Sequence, residues 1–103
     1  MSFVAAIFGR RYRVHFPRLR LASRDGLKTV GRCDPPEKPN KAIELDSRLR
    51  GRELLEVAIH EALHAADFHK LDESWVERVA HDIAAMLWRR ELRERIWVAS
   101  RQS

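Results

Sequence analysis

Two histidines and a glutamate are grouped within the segment HEALH, residues 60–64. If this segment is helical, His60 and His64 lie one turn apart on the same face, and both imidazoles can reach a single metal ion. Zinc accepts imidazole nitrogen, and a catalytic zinc site usually has three protein ligands and a position left open for water. Glu61 follows the first histidine, so it can face that water and act as a general base. The spacing therefore predicts a hydrolytic site that holds one Zn²⁺ ion per chain.

The third ligand has to come from the residues after this motif. Our preferred residue is Glu77, because a second helix that crosses the first can present it to the metal. Ser74 and Glu77 also form a capping-box pattern, in which Glu77 would only bind the backbone at the start of that helix. His81, one turn further on, is predicted to support the site or to polarise a substrate carbonyl. Other side chains in this region leave alternatives open: His69, Asp72 and Glu73. Asp67 is a weaker candidate, because a helix cannot easily bend three of its own side chains onto one small ion.

The elements that must position these residues follow from the hydrophobic pattern. Loose alternation predicts about three short strands, at residues 11–21, 27–33 and 41–46, with a turn at residues 23–26. Helical spacing predicts an active-site helix over about 52–69 and a second helix over about 75–97, which carries Glu77. We therefore expect one α+β domain over residues 1–103, with a small sheet of about three strands packed on two main helices.

Composition limits the class of protein. Apolar residues make up 45% of the chain, the formal net charge is +5, and there is one cysteine. A single cysteine excludes an intrachain disulfide and is typical of a reducing compartment, so we expect a cytoplasmic protein. The apolar run at residues 3–8 is too short to cross a bilayer, and no membrane association is expected.

The motif and its surroundings resemble the zincin metallopeptidases. HEALH matches their HExxH core, and the segment from Glu77 to Ala84 resembles the stretch that carries the third ligand in small intracellular gluzincins related to phage and conjugative-element repressor-cleaving peptidases. The chain is also similar in length to the minimal gluzincins. This resemblance implies a zinc metallopeptidase that hydrolyses bonds in a peptide or protein substrate, with His60, His64 and Glu77 as zinc ligands and Glu61 as general base.

The resemblance also implies that the strand before the active-site helix is an edge strand above the metal. Ile43, Glu44 and Leu45 would then pair with an extended peptide substrate through main-chain hydrogen bonds. Larger family members stabilise the oxyanion with a downstream tyrosine or histidine, and only His81 is available here, so weak or narrow activity is expected. Cys33 precedes this strand and is a candidate inhibitory ligand, because thiolate binds zinc.

Two other functions are compatible with the sequence. Zinc could staple a small core without any catalysis. Arginines also alternate with Tyr12 and Phe16 between residues 10 and 20, which would suit weak contact with nucleic acid if they shared one face of a strand. The same arginines would equally discourage aggregation at an exposed edge strand. The sequence alone does not determine the oligomeric state.

Overall fold

The computed structural model describes residues 1–19 and 30–102, with side chains described to residue 96. The strands are β1 (Ser2–Ile7), β2 (Arg10–His15), β3 (Gly31–Cys33) and β4 (Ala42–Leu45), and the helices are α1 (Gly51–Ala66), α2 (Glu73–Leu87) and α3 (Arg90–Gln102). The α+β class is confirmed, and the described residues form four strands because residues 2–7 are also a strand. The predicted turn at residues 23–26, the adjoining ends of the first two predicted strands and the side chain of Trp97 lie outside the described residues.

A tight hairpin joins β1 to β2. Its two loop residues, Phe8 and Gly9, have φ angles of 50° and 74°, which is the left-handed conformation that a type I′ turn requires. The two strands are antiparallel neighbours. Along β2 the side chains alternate, so that Tyr12 and Val14 are buried while the arginines between them face the other side of the sheet.

The strand order in the sheet is β1-β2-β4-β3. β4 is parallel to β2 and antiparallel to β3, so it has a hydrogen-bonded neighbour on each side. The prediction that this strand is an edge strand is therefore wrong. Ile43 and Leu45 are 3% and 4% exposed, because one face of β4 is covered by a helix. In the described part of the sheet, the edge strand at this end is β3.

α1 forms the middle layer of the molecule. One side of it packs on the sheet, and the buried cluster there consists of Tyr12, Val14, Ile43, Leu45 and Ala65. The opposite side of α1 packs against α2, and within the described residues α2 makes no contact with the sheet. α2 runs back along α1, since Glu73 meets His64 near one end of the pair and Trp88 lies beside Gly51 at the other.

The second predicted helix is divided in two. α2 ends at Leu87 and α3 begins at Arg90, whereas the hydrophobic pattern predicted one helix over 75–97. The end of α2 tightens, because the backbone N–H of Arg89 donates to the carbonyl of Met86, three residues back, at 3.2 Å. None of the described helices combines the length and the apolar character that a bilayer crossing would need.

A buried carboxylate fixes the chain between β4 and α1. Asp46 is 2% exposed and accepts a hydrogen bond from the backbone N–H of Leu19 at 3.0 Å. The guanidinium of Arg48 donates to both of its oxygens, at 2.8 and 2.7 Å. Hydrogen bonding to Arg48 holds the pKa of Asp46 well below its usual value. This network ties the chain that leads into α1 to the segment after β2, and so helps to fix the helix that carries HEALH.

Candidate metal centre

Three side chains converge where the end of α1 meets the start of α2. The Nε2 atom of His60 lies 2.8 Å from one carboxylate oxygen of Glu73, and the Nε2 atom of His64 lies 2.8 Å from the other. The two imidazole rings have centroids 4.9 Å apart. The structure thus brings together the two histidines of the motif, and their acidic partner is Glu73, one of the alternatives left open by the sequence.

The donor set of this cluster suits a zinc ion. Two imidazole nitrogens and a carboxylate oxygen, with one side open, are the usual protein ligands of a class of catalytic zinc sites. Donors bound at about 2.0–2.1 Å in a tetrahedral site stand roughly 3.4 Å from one another. The three donor atoms here all lie within 4.8 Å of one another. The side chain of Glu73 is 60% exposed, so the cluster is open to solvent on the glutamate side.

The start of α2 decides which glutamate meets the histidines. Asp72 is the N-cap, because its carboxylate accepts hydrogen bonds from the backbone N–H of Trp75 at 3.2 Å and from the hydroxyl of Ser74. The helix therefore begins before the predicted Ser74 cap, and Glu73 becomes its first residue. Glu77, our preferred ligand, lies one turn further on, about 6 Å along the helix axis. It is exposed and lies outside the cluster.

The other candidate ligands near the end of α1 have different partners. Asp67 is the C-cap of α1, and its backbone N–H donates to the carbonyl of Leu63 at 3.1 Å. The imidazole of His69 pairs with the carboxylate of Glu37, in the proline-rich loop that precedes β4. Neither residue belongs to the cluster. Both instead hold the connection between the two helices in place.

His81 does not reach the cluster. Its Nδ1 atom lies 2.8 Å from Oε1 of Glu56, on the exposed side of the contact between α1 and α2. Eight residues separate it from Glu73, which corresponds to about 12 Å along the helix. The structure therefore gives His81 a role in holding the two helices together, and it places the imidazole too far away to polarise a carbonyl at the cluster.

Glu61 is buried between α1 and β3. It is 8% exposed, and within the described chain no hydrogen-bond donor contacts its carboxylate. A Cβ atom added at Gly31 would lie 2.9 Å from Oε2 of Glu61 and 2.7 Å from Cγ1 of Val57, so only glycine leaves room for this carboxylate. Burial, together with the negative charge of Glu73, raises the pKa of Glu61 to about 7. A carboxyl group with this pKa can accept and release a proton near neutral pH.

Cys33 packs against the core and not against the histidines. Its thiol donates a hydrogen bond to the carbonyl of Asp34 at 3.4 Å. Burial raises the pKa of Cys33 to about 12, and the negative charge of Glu61 adds to this effect. Because zinc binds the thiolate and not the thiol, this environment does not support Cys33 as an inhibitory ligand.

The residues of β4 that were predicted to bind substrate have other contacts. Ile43 and Leu45 are core residues, and Glu44 pairs across the open face of the sheet with Arg32 at 3.1 Å and with His15 at 3.5 Å. The prediction is wrong because both hydrogen-bonding edges of β4 are already used by neighbouring strands. The strand that lies beside Glu61 is β3. A glycine inside a strand-like segment, as in VGRC, is the sequence signal for such a close approach.

The arginines and the aromatic residues of β2 lie on opposite faces of the sheet. Arg11, Arg13 and Lys41 line a cleft of about 510 Å³ on the open face. Tyr12 is fully buried on the other face, where Phe16 also packs against the core. Binding of single-stranded nucleic acid by base stacking needs aromatic rings beside the cations. Within the described residues, Arg11 and Arg13 of β2 therefore do not share a face with Tyr12 and Phe16.

No protein-family model, curated protein or solved structure matches this chain.

Proposed function

We propose that this protein is a zinc-dependent peptidase in which His60, His64 and Glu73 hold the metal and Glu61 is the general base. The observation that carries the proposal is the cluster itself. One oxygen of Glu73 lies 2.8 Å from the Nε2 atom of His60, and the other lies 2.8 Å from the Nε2 atom of His64. Glu61 lies beside Gly31 of β3 and is a buried carboxyl group whose pKa is raised to about 7. The base and two of the three ligands are thus supplied by α1, and the third ligand is the first residue of α2.

The reaction that these residues support is hydrolysis of an amide bond. Zinc, when bound, polarises the substrate carbonyl and lowers the pKa of water. Glu61 accepts a proton from the water that attacks the carbonyl carbon. When the carbon–nitrogen bond breaks, Glu61 returns that proton to the departing amine. Burial against β3 keeps the base from being fully solvated, and a pKa near neutrality suits both directions of transfer.

β3 is the element best placed to bind an extended substrate. It is the edge strand beside Glu61, and in the described chain no strand pairs with its outer side. A peptide added to that side would form main-chain hydrogen bonds next to the base. β3 has only three residues, and Pro35 and Pro36 follow two and three residues after its end, so the recognised stretch of substrate would be short. His81, which was predicted to polarise the carbonyl, pairs with Glu56 instead, and we expect slow turnover.

A zinc-stapled domain without catalysis is the second candidate. One observation favours it: in the described chain α2 contacts α1 but not the sheet, and Glu73 links the start of α2 to the end of α1. A metal ion bound there would cross-link the two helices and stabilise the small core. This function needs the same three ligands but does not need Glu61.

Zinc content tests the ligand set. We expect one zinc ion per purified chain, and we expect Glu73→Gln to weaken zinc binding by at least roughly 100-fold, measured by competition with a chromogenic chelator. Glu77→Gln is the matched control on the next turn of the same helix, and it should retain zinc. If Glu77→Gln loses zinc and Glu73→Gln keeps it, the third ligand is the one that the family pattern suggests. Absence of zinc in the wild-type protein would exclude both functions.

Cleavage of a peptide library separates the two functions. The zinc-loaded wild-type protein should cleave a subset of peptides, identified by mass spectrometry of the new termini. Glu61→Gln should bind zinc with the same stoichiometry and leave the library intact. A protein that holds zinc through Glu73 but cleaves no peptide would be a stapled domain and not a peptidase.

A further inference from the structure

The two edges of the described sheet differ in composition. β3 has three residues, contains Arg32 and is followed by two prolines, so its outer side offers only a short row of backbone groups. β1 has six residues, with the sequence SFVAAI, and contains no charge, no proline and no glycine. Phe3 and Val4 point to opposite faces of the sheet and are 52% and 58% exposed. β1 thus has the composition of an inner strand but lies at an edge.

The hairpin fixes which backbone groups of β1 face outward. In a two-residue hairpin the residues next to the turn, here Ile7 and Arg10, exchange both of their hydrogen bonds. The alternation along the ladder then directs the N–H and C=O groups of Phe3, Ala5 and Ile7 toward β2. The backbone N–H of Arg13, which lies opposite Val4, donates to Lys41 on the β4 side at 3.1 Å, as this alternation requires.

It follows that the backbone groups of Ser2, Val4 and Ala6 face away from β2. In the described chain no strand forms hydrogen bonds with these outward groups. Val4 is the middle member of this row, and the row is therefore symmetric about Val4. A second copy of β1, placed antiparallel with Val4 on a two-fold axis, would pair Val4 with Val4, and Ser2 with Ala6 of the partner copy. This register forms about six backbone hydrogen bonds, and a shift of two residues would leave some of the outward groups unpaired.

We propose that two copies of this chain associate through β1, with Val4 on the two-fold axis, to form a continuous eight-stranded sheet. The side chains support the same register, because Phe3 would lie opposite Ala5 of the second copy on the helix-covered face. No charged side chain of β1 opposes another across the axis. β3 and Glu61 lie at the other end of each sheet, about 14 Å from β1 at the usual strand spacing. Pairing through β1 therefore leaves β3 and Glu61 of each copy away from the contact between the two copies.

Sedimentation velocity over a range of concentrations tests the association. The wild-type protein should sediment as a dimer of 12.1 kDa chains. Val4→Lys places two like charges across the axis and should weaken the dimer on the order of 100-fold. Val4→Thr keeps a β-branched residue at the same position and should remain dimeric. Phe8→Asn removes an 80% exposed apolar side chain at the hairpin turn, away from the pairing row, and should also remain dimeric.

Hydrogen exchange resolved to single residues tests the register without any substitution. In the wild-type protein at high concentration, all four amides of Phe3, Val4, Ala5 and Ala6 should be protected from exchange. On dilution to the monomer, the amides of Val4 and Ala6 should lose this protection, while those of Phe3 and Ala5 should keep it. A wild-type protein that stays monomeric at high concentration would overturn the proposal. So would a dimer in which the amide of Val4 exchanges freely, because another surface would then be responsible.

Discussion

Asp46 and Glu61 are the two buried charged residues of the described chain, at 2% and 8% exposure, and their surroundings are opposite. Asp46 accepts hydrogen bonds from Arg48 and from the backbone of Leu19, so its pKa lies well below the usual value. Glu61 is buried, accepts no hydrogen bond from the described residues and lies near another carboxylate, so its pKa is raised to about 7. The first carboxylate stays ionised at neutral pH, and the second can change its charge near neutral pH.

This difference separates a residue that stabilises the fold from a residue that is suited to catalysis. A buried charge with all its hydrogen bonds satisfied strengthens the native state, and removal of either partner leaves the other unpaired. A buried carboxylate without donors destabilises the native state when it is ionised. Such a group is expected where a proton has to be accepted and returned.

The largest expected difference between substitutions of the two carboxylates is in activity. Glu61→Gln should lower the proposed peptidase activity on the order of 10³-fold, because the proposed general base is removed, while the melting temperature should not fall. Asp46→Asn should keep activity close to wild type at temperatures well below its unfolding. Activity on a cleavable library peptide and calorimetry on the same samples would check both. Equal losses of activity in the two variants would contradict the assignment.

Stability should respond in the opposite way. Asp46→Asn should lower the melting temperature on the order of 10 °C, because Arg48 loses its buried partner. The matched control is Asp82→Asn, which removes an exposed carboxylate paired with Arg78 and should change the melting temperature by about 2 °C or less. Because the folded pKa of Asp46 lies below the unfolded value of 3.8, its stabilisation is complete above about that pH and is lost on acidification. The wild type and Asp46→Asn should therefore converge in stability at low pH.

The space beside the base can be filled directly. Gly31→Ala would place a Cβ atom 2.9 Å from Oε2 of Glu61 and should destabilise the fold by about 1–3 kcal/mol while it displaces the carboxylate. We expect kcat to fall by a larger factor than the factor by which KM changes. Gly9→Ala is the control, because its φ of 74° is strained for alanine but no atom lies within 4 Å of the added Cβ. It should lower stability by about 1 kcal/mol without any effect on kcat.

The smallest effect concerns the pH dependence of the metal-free protein. Glu61 has a folded pKa of about 7 and an ordinary value of 4.5, so between these values the unfolded chain ionises before the folded one. Stability should therefore fall as pH rises from 4.5 to 7, and the full loss remains above pH 7. Glu61→Gln removes this dependence and should raise the melting temperature at pH 8 by a few degrees, measured with a chelator present. A lower melting temperature at pH 8 would contradict the raised pKa.

Much of the proposed site could be anticipated from residue spacing. His60 and His64 are four residues apart in a strongly apolar helical segment, and helix geometry alone brings their imidazoles together. Glu61 could be singled out because it directly follows the first of these histidines. The choice between Glu73 and Glu77 could not be made, since it depends on where α2 starts, and both Asp72 and Ser74 are good N-caps. Their competition is decided by how the connection between the helices packs.

The edge strand was misassigned for a related reason. An alternating segment such as AIEL predicts a strand but does not predict its neighbours, because pairing joins residues far apart in the chain. β4 follows β3 along the chain and yet lies between β2 and β3, so the strand beside Glu61 is one that contains a glycine and only three residues. β1 was overlooked because an apolar run without alternation does not distinguish a strand from a short buried segment.

The sequence by itself determined the α+β class, the helix that carries HEALH and the pairing of its two histidines, since these follow from local periodicity within single elements. Tertiary structure decided the order of the strands, the acidic partner of the histidines and the opposite environments of Asp46 and Glu61. Those features arise from contacts between distant segments, where burial and the presence or absence of a donor set the charge of a carboxylate. Asp46 and Glu61 are both acidic residues in the sequence, and their surroundings in the folded protein give them different chemistry.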